Sequence, residues 1–160
     1  MNKLNYPNRL VPLYIAKELK EIGFNEPTLF HYYENDFDVT IETNDYYNEG
    51  EAQGYLSFYI PALKEEDFNH YKIQISIPTW EQVFQWFRSK GYHCTLHTYS
   101  VIVRNAEEFR FYYEINSCQE YVAAPEEYYK IYEQARETLV YKLIEIYKSE
   151  QNENLHIRKD

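Results

Sequence analysis

The sequence predicts an α+β fold, a single domain in which an antiparallel sheet of about five strands packs with three helices. Short runs of alternating apolar and polar residues are typical of strands with one buried face. Three longer segments, of which the C-terminal one is the longest, have apolar residues at helical spacing. The chain of 160 residues, 44% apolar and 26% charged, also has the size and composition of one globular domain.

The first predicted helix begins at Pro12, because proline suits the first helical turn, where its missing N–H is not needed. Gly23 is expected to end the helix in the left-handed conformation, with Phe24 beyond it in contact with Leu19. The apolar residues of this helix are Leu13, Ile15, Ala16, Leu19 and Ile22.

The stretch after this helix, residues 25–53, is acidic and aromatic. Phe37, Val39 and Ile41 alternate with polar residues, which predicts a strand with an acidic outer face. Residues 45–51 are expected to form a turn or an exposed loop, and residues 55–60 the next strand. In the polar connection after that strand, the side chain of Phe68 is expected to be buried.

A further strand and a short aromatic helix are expected to anchor the core. Ile73, Ile75 and Ile77 alternate with polar residues and predict the strand. Thr79 and Gln82 have the spacing of a capping box, so a helix should begin here. The apolar face of that helix is Trp80, Val83, Phe84 and Phe87, with Trp86 at its edge.

The end of this helix follows the same rule as the end of the first one. Gly91 is expected to close it, with Tyr92 folded back on Phe87. Residues 95–103 and 108–115 are then predicted to be two strands of an antiparallel hairpin, with residues 104–107 as the turn. One face of the second strand comprises Phe109, Phe111, Tyr113 and Ile115.

The last helix is predicted to begin at Pro125, and its apolar surface is wider than one packing face needs. Two explanations stay open for that width: the sheet and the helix at Trp80 wrap it, or it mediates self-association of a homodimer. The domain is expected to span residues 1–148, followed by a disordered polar tail at residues 149–160. The main apolar stripe is Tyr128, Tyr132, Ala135, Leu139, Leu143 and Ile146, and the possible self-association face is Val140, Ile144 and Tyr147.

The charge of the chain limits its partners. A formal net charge of −10 argues against direct nucleic-acid binding, which needs clustered Lys and Arg. No apolar run predicts a membrane span or a secretory signal, and the two cysteines, Cys94 and Cys118, form no disulfide framework. We therefore expect a cytoplasmic protein that binds neither membrane nor nucleic acid.

The spacing of the candidate metal ligands and nucleophiles predicts neither a metal site nor a catalytic site. On a strand, His93 and His97 would lie about 13 Å apart, at roughly 3.3 Å per residue, and Cys94 would face away, so one ion could not join them. Residues 45–50 differ from a calcium loop because Tyr47 takes a ligand position. No Gly-x-Ser-x-Gly elbow occurs. The sequence therefore predicts no metal and no cofactor, and it contains no catalytic constellation; an enzyme stays the less favoured alternative.

The high tyrosine content, 19 residues, has two interpretations. Tyrosine provides a large contact area at low entropic cost, so the side chains could form a binding surface. Alternatively, the content follows from codon usage in an A+T-rich genome, since Asn, Lys, Ile, Tyr and Phe are abundant while Gly is scarce. Several of the tyrosines occur as neighbours in the chain: Tyr32 and Tyr33, Tyr46 and Tyr47, Tyr112 and Tyr113, and Tyr128 and Tyr129.

Three segments of the chain carry a resemblance to known proteins: Ile-Ala-Lys-Glu-Leu-Lys-Glu-Ile-Gly-Phe-Asn-Glu-Pro at 15–27, Ile-Pro-Thr-Trp-Glu-Gln-Val-Phe-Gln-Trp-Phe-Arg-Ser-Lys-Gly-Tyr at 77–92, and Tyr-Glu-Gln-Ala-Arg-Glu-Thr-Leu-Val-Tyr-Lys-Leu-Ile-Glu-Ile at 132–146. Through them most of the chain, from Pro12 to Lys148, resembles small proteins encoded in phages, prophages and mobile elements of gut anaerobic bacteria. That resemblance implies a genomic setting, and it carries over no activity, cofactor or catalytic residue.

Two functional hypotheses follow. The first is an accessory protein that binds a host or phage protein through an aromatic surface. The second is an acidic mimic of nucleic acid that inhibits a DNA- or RNA-processing enzyme, whose binding would be more sensitive to salt. The carboxylates of that possible acidic patch are Glu34, Asp36, Asp38, Glu42, Asp45, Glu49 and Glu51.

Overall fold

The computed structural model describes residues 9–33, 39–41, 67–117, 121–123 and 128–157, which have the predicted α+β composition with a long C-terminal helix. These residues group into two compact units, Met1–Val83 and Phe84–Asp160. The single-domain assignment stays a prediction. The helices are α1 Leu13–Glu21, α2 Trp80–Ser89 and α3 Tyr132–Ile157, and the strands are β1 Phe30–Tyr33, β2 Val39–Ile41, β3 Gln74–Ser76, β4 His93–Val103, β5 Ala106–Asn116 and β6 Tyr121–Ala123.

The strands form two sheets, whereas the sequence predicted one sheet of about five strands. In the first unit β1 is the central strand, antiparallel to β2 and β3, and in the second unit β5 is central between β4 and β6. The predicted strand at residues 55–60 lies outside the described residues. A five-stranded sheet is therefore not shown.

Helix α1 ends as its sequence predicts. Gly23 has a φ of +84°, and its N–H donates to the Lys20 carbonyl, while the N–H of Phe24 donates to the Leu19 carbonyl at 3.0 Å. These are the two hydrogen bonds of a Schellman closure. The Lys20 ammonium donates to the backbone carbonyls of Tyr71, at 2.9 Å, and Gln74, so it joins α1 to the segment that enters β3.

Strand β3 is shorter than predicted. Ile75 and Ile77 are buried, but Ile73 is 48% exposed and lies before the strand. The segment before β3 forms a turn whose carbonyls accept from Lys20, so Ile73 cannot continue the alternation. Phe68 is buried as predicted and stacks on the His31 ring at 4.2 Å.

Helix α2 confirms both of its predicted ends. The N–H of Gln82 donates to the Thr79 hydroxyl and the N–H of Thr79 donates to the Gln82 side chain, at 3.2 and 2.9 Å, which is the reciprocal pattern of a capping box. Gly91, with a φ of +91°, then allows the N–H of Tyr92 to donate to the Phe87 carbonyl at 3.0 Å.

The buried face of α2 differs from the prediction in one respect. Trp86, expected at the edge, is fully buried, whereas Phe84 is only partly buried. Trp86 contacts the ring of Phe87 and the ring of Tyr147 on α3. Because α3 packs on this side of α2, the buried face of α2 includes Trp86.

Strands β4 and β5 form the predicted hairpin in continuous antiparallel register, longer than predicted at both ends. Its turn consists of Arg104 and Asn105 alone, with φ of +50° and +68°, rather than residues 104–107. Two left-handed residues in succession are the mark of a type I′ turn, whose twist matches that of the strands. Strand β6, which was not predicted from the sequence, pairs with β5 through three residues of the described part of the chain.

Helix α3 begins later and ends later than predicted. Tyr129 is not helical, because it exchanges two backbone hydrogen bonds of 2.8 and 2.9 Å with Phe111 of β5. The segment from Ser149 to Ile157, expected to be disordered, is helical. Glu150, which accepts a hydrogen bond from the Tyr92 hydroxyl, fixes one turn of this extension. Among the described residues, no helix is long and apolar enough to cross a membrane.

Two of the three residues of the face proposed for self-association are buried within the chain. Val140 and Ile144 are buried in the isolated chain, and Tyr147 contacts the rings of Trp86, Phe87 and Tyr92 at 5.3 to 6.4 Å. Packing of Tyr147 on the rings of Trp86 and Phe87 explains part of the extra apolar width of α3, and Val140 and Ile144 have almost no exposed surface for a second copy. Tyr147 stays partly exposed, and self-association stays a prediction. We name Trp86, Phe87, Tyr92 and Tyr147 the buried cluster.

Candidate interaction surface

The residues that the sequence singled out for acidity or chemistry do not form a described site. All seven carboxylates of the possible acidic patch lie outside the described residues. His93 and His97 both lie on β4, with Cys94 between them on the alternate side. In the described part of the chain there is no group of three or more His, Cys, Asp or Glu side chains arranged to hold a metal ion.

The hairpin formed by β4 and β5 has two different faces. One face packs within the second unit, where Phe111 contacts the ring of Tyr132 on α3 and Tyr113 stacks on Tyr129. Because side chains alternate along a strand, the neighbouring residue Tyr112 lies on the opposite face. That opposite face carries aromatic and charged side chains that are only partly buried.

Three tyrosines meet on this second face: Tyr99 of β4, Tyr112 of β5, and Tyr128 from the segment before α3. Their ring centroids lie 5.1, 6.0 and 6.2 Å apart, with interplanar angles of 64 to 81°. Rings at these angles form edge-to-face pairs, a favoured geometry for aromatic side chains. We name Tyr99, Tyr112 and Tyr128 the surface triad.

Local structure explains how residues distant in sequence reach this site. The hairpin register places Tyr99 opposite Arg110 and places His97 opposite Tyr112, so Tyr99 and Tyr112 are diagonal neighbours. Tyr128 joins them because the next residue, Tyr129, pairs with β5 and directs its own side chain to the other face. The backbone bridge between Phe111 and Tyr129, which keeps α3 from starting before Tyr132, therefore also places Tyr128 beside Tyr99 and Tyr112.

The triad remains accessible. Tyr128 is 52% exposed, and Tyr99 and Tyr112 are partly exposed. Partial burial, and then the nearby hydroxyl of Tyr128, raise the pKa of Tyr99, while the Arg110 guanidinium acts in the opposite direction. The Tyr99 hydroxyl is therefore protonated at neutral pH and can both donate and accept a hydrogen bond.

Charged side chains surround the triad. Arg110 forms an ion pair with Glu108, its neighbour on the same face of β5. His97 stacks on Tyr112 with ring centroids 4.6 Å apart, and its Nε2 lies 3.3 Å from a carboxylate oxygen of Glu114. The His97 contact lacks hydrogen-bond geometry and becomes an ion pair only when the imidazole is protonated. The face thus combines aromatic rings with two carboxylates and one guanidinium.

The sequence singled out Tyr112 and Tyr128 as members of adjacent pairs, but it neither singled out Tyr99 nor predicted that the three would meet. The usable signal was the pairs of adjacent tyrosines, since an extended backbone directs one member of each pair to each face of a sheet. Tyr112 with Tyr113, and Tyr128 with Tyr129, follow that rule.

No protein-family model, curated protein or solved structure gives a significant match to this chain.

Proposed function

We propose that this protein is an accessory binding protein that recognises another protein through the surface triad. One observation carries the proposal: three tyrosines from separate segments pack on one another, yet remain partly exposed on one face of the hairpin. Tyrosine is enriched at the energetically important centres of protein interfaces, because one side chain combines a large apolar area with a hydroxyl.

The packing of the triad lowers the cost of binding. Each ring is held by the other two, and Tyr112 is also held by the imidazole of His97. A side chain that is ordered before binding loses less conformational entropy when a partner covers it. The triad therefore supports a preformed recognition surface.

The charges around the triad favour a protein over a nucleic acid. Glu108 and Glu114 flank the rings, and Arg110 is already paired with Glu108. The phosphate backbone would meet these carboxylates and a chain of net charge −10. A protein segment that presents apolar and basic side chains fits the same surface, since cations interact favourably with carboxylates and with tyrosine faces.

A comparative affinity capture tests this proposal. Tagged wild-type protein and the double variant Tyr99→Ala with Tyr112→Ala are incubated with lysate of the native host, washed at low and high salt, and the bound proteins are quantified by mass spectrometry. We expect a protein that the wild type retains at high salt and the double variant loses, because a largely apolar contact is less sensitive to screening. Binding of the same protein by purified components then gives the affinity.

The control is Tyr141→Ala, which removes an exposed tyrosine from α3, outside the triad. This variant should retain the partner. Equal retention by the wild type and the double variant would contradict the proposal. Circular dichroism of all three proteins distinguishes loss of the surface from loss of the fold.

The acidic mimic and the mobile-element setting stay predictions. The carboxylates of the mimic lie outside the residues that the structure describes, so none of their contacts supports it. In the same capture experiment, mimicry would yield a nucleic-acid enzyme that is released at high salt and is bound equally by the double variant.

A further inference from the structure

The side chain of His97 lies beside the surface triad and makes two contacts with β5. Its ring stacks on Tyr112 at an interplanar angle of 13°, and its Nε2 lies 3.3 Å from a carboxylate oxygen of Glu114. The side chains of His97 and Glu114 are 34% and 36% exposed, respectively. The hairpin register explains both contacts, because Tyr112 lies opposite His97 and Glu114 is its diagonal neighbour on the same face.

The Nε2 atom of His97 is almost inaccessible to solvent and has no hydrogen-bond partner within the described residues. Buried nitrogen atoms are normally hydrogen-bonded, so this one calls for a physical explanation. A neutral imidazole presents here either a lone pair to the Glu114 carboxylate or an N–H that is poorly aligned with it. An imidazolium presents a positive charge to the same carboxylate, and the attraction of opposite charges depends on distance more than on alignment.

The other charged and titratable side chains on this face belong to β4, β5 and the segment before α3. Arg110 is the second diagonal neighbour of His97, and its guanidinium is already paired with Glu108. The residues of β6 that pair beside Glu114, Tyr121–Ala123, include no Asp, Glu, Lys or Arg. Glu114 is therefore the described carboxylate that faces the imidazole. The other groups are His93 and Tyr99 on β4, Glu108, Arg110 and Tyr112 on β5, and Tyr128 before α3.

We propose that His97 makes recognition by the surface triad sensitive to pH. The neutral imidazole leaves the Glu114 carboxylate to a basic group of the partner, whereas the imidazolium forms an ion pair with that carboxylate itself. This inference rests on the proposed function, in which the partner segment is apolar and basic. Protonation also adds a positive charge beside Tyr112, which repels a basic segment. Since histidine changes its charge between about pH 5 and 8, binding weakens as the pH falls through that range.

Nuclear magnetic resonance of the full chain tests the ion pair without a partner. The His97 ring and the side-chain carboxyl carbon of Glu114 are followed between about pH 8 and about pH 5.5, where histidines titrate. We expect the Glu114 resonance to change with the same midpoint as the His97 ring, because the ion pair forms as the ring gains its proton. His97→Gln should abolish that change.

The matched control is His93→Gln, which removes an exposed histidine from the same face of β4, four residues away. This variant should retain the change at Glu114. A Glu114 resonance that does not follow the His97 ring, or that changes equally in His97→Gln, would overturn the proposal.

Binding at two pH values tests the effect on recognition. For the protein identified by affinity capture, we expect the dissociation constant of the wild type to increase about threefold or more from about pH 7.5 to about pH 5.5, the size of effect expected for a partly exposed charge pair. His97→Gln should remove this increase. An increase of the same size in His97→Gln would contradict the role of His97. The two failures are distinguishable, because a missing partner contradicts the proposed function, whereas a Glu114 resonance independent of His97 contradicts the pH sensitivity whether or not a partner is found.

Discussion

The buried cluster and the surface triad are built from similar contacts but have different exposures. Ring centroids lie 5.0 to 6.4 Å apart in the buried cluster and 5.1 to 6.2 Å apart in the triad. The buried cluster lies between α2 and α3, whereas the triad lies on the face of the hairpin opposite the contact between Phe111 and Tyr132. Aromatic packing alone therefore does not distinguish a core from an exposed surface; the difference is whether another element covers the rings.

The largest expected effect is at Trp86, which is fully buried in contact with Phe87 and Tyr147. Trp86→Ala removes a large side chain where the surrounding rings can relax only partly, so we expect a loss of about 3–5 kcal/mol in the free energy of unfolding. Equilibrium unfolding in urea measures it. A loss below about 1 kcal/mol would show that this cluster is not part of the core.

The next effect is at Tyr92, whose hydroxyl donates to Glu150. Burial first, then this hydrogen bond and the charge of Glu150, raise the pKa of Tyr92 well above its ordinary value of 10.0. In the unfolded chain the phenol ionises at its ordinary pKa, so the stabilisation is complete below about pH 10 and decreases as the pH rises above it. Tyr92→Phe should cost about 1 kcal/mol at neutral pH through the lost hydrogen bond.

The pH dependence of unfolding checks the cause. Between about pH 8 and 11, the wild type should lose more stability than Tyr92→Phe, because only the wild type carries the phenol whose pKa is raised in the folded state. Parallel curves for the two proteins would contradict the assigned role of the Tyr92 hydroxyl. Tyr14→Phe, at an exposed tyrosine of α1, is the matched control.

The smallest effect on stability is expected in the surface triad. Tyr112→Ala should cost about 0.2–1 kcal/mol, the range of a cross-strand pair on a partly exposed sheet face. The adjacent Tyr113 is only 5% exposed and stacks on Tyr129, so Tyr113→Ala should cost about 3 kcal/mol or more. Urea unfolding of the two variants tests this directly. Equal losses would mean that the triad belongs to the core after all.

The sequence predicted best those features that depend on neighbouring residues. The capping box of Thr79 and Gln82 and the glycine closures at Gly23 and Gly91 are correct to the residue. Their hydrogen bonds join groups at most five positions apart, so the local sequence contains all the participants.

The sequence-based predictions were wrong where a hydrogen bond to a distant strand or side chain overrides the local sequence pattern. Pro125 predicted a helix start, but the backbone of Tyr129 bonds to Phe111, and the helix begins at Tyr132. Ile73 continued an alternating pattern, but the turn bound by Lys20 leaves it exposed. In both cases the decisive hydrogen bond joins residues far apart in the chain.

The sequence by itself determined the α+β class, the ends of α1 and α2, and the pairing of β4 with β5. Each follows from periodicity and turn chemistry within a short window. Only the tertiary structure decided which tyrosines are buried, because Tyr112 and Tyr113 have the same chemistry and adjacent positions. The physical reason is that burial depends on what packs against each face of the strand, and here that is set by the contacts of Tyr113 with Tyr129 and of Tyr112 with Tyr99 and Tyr128.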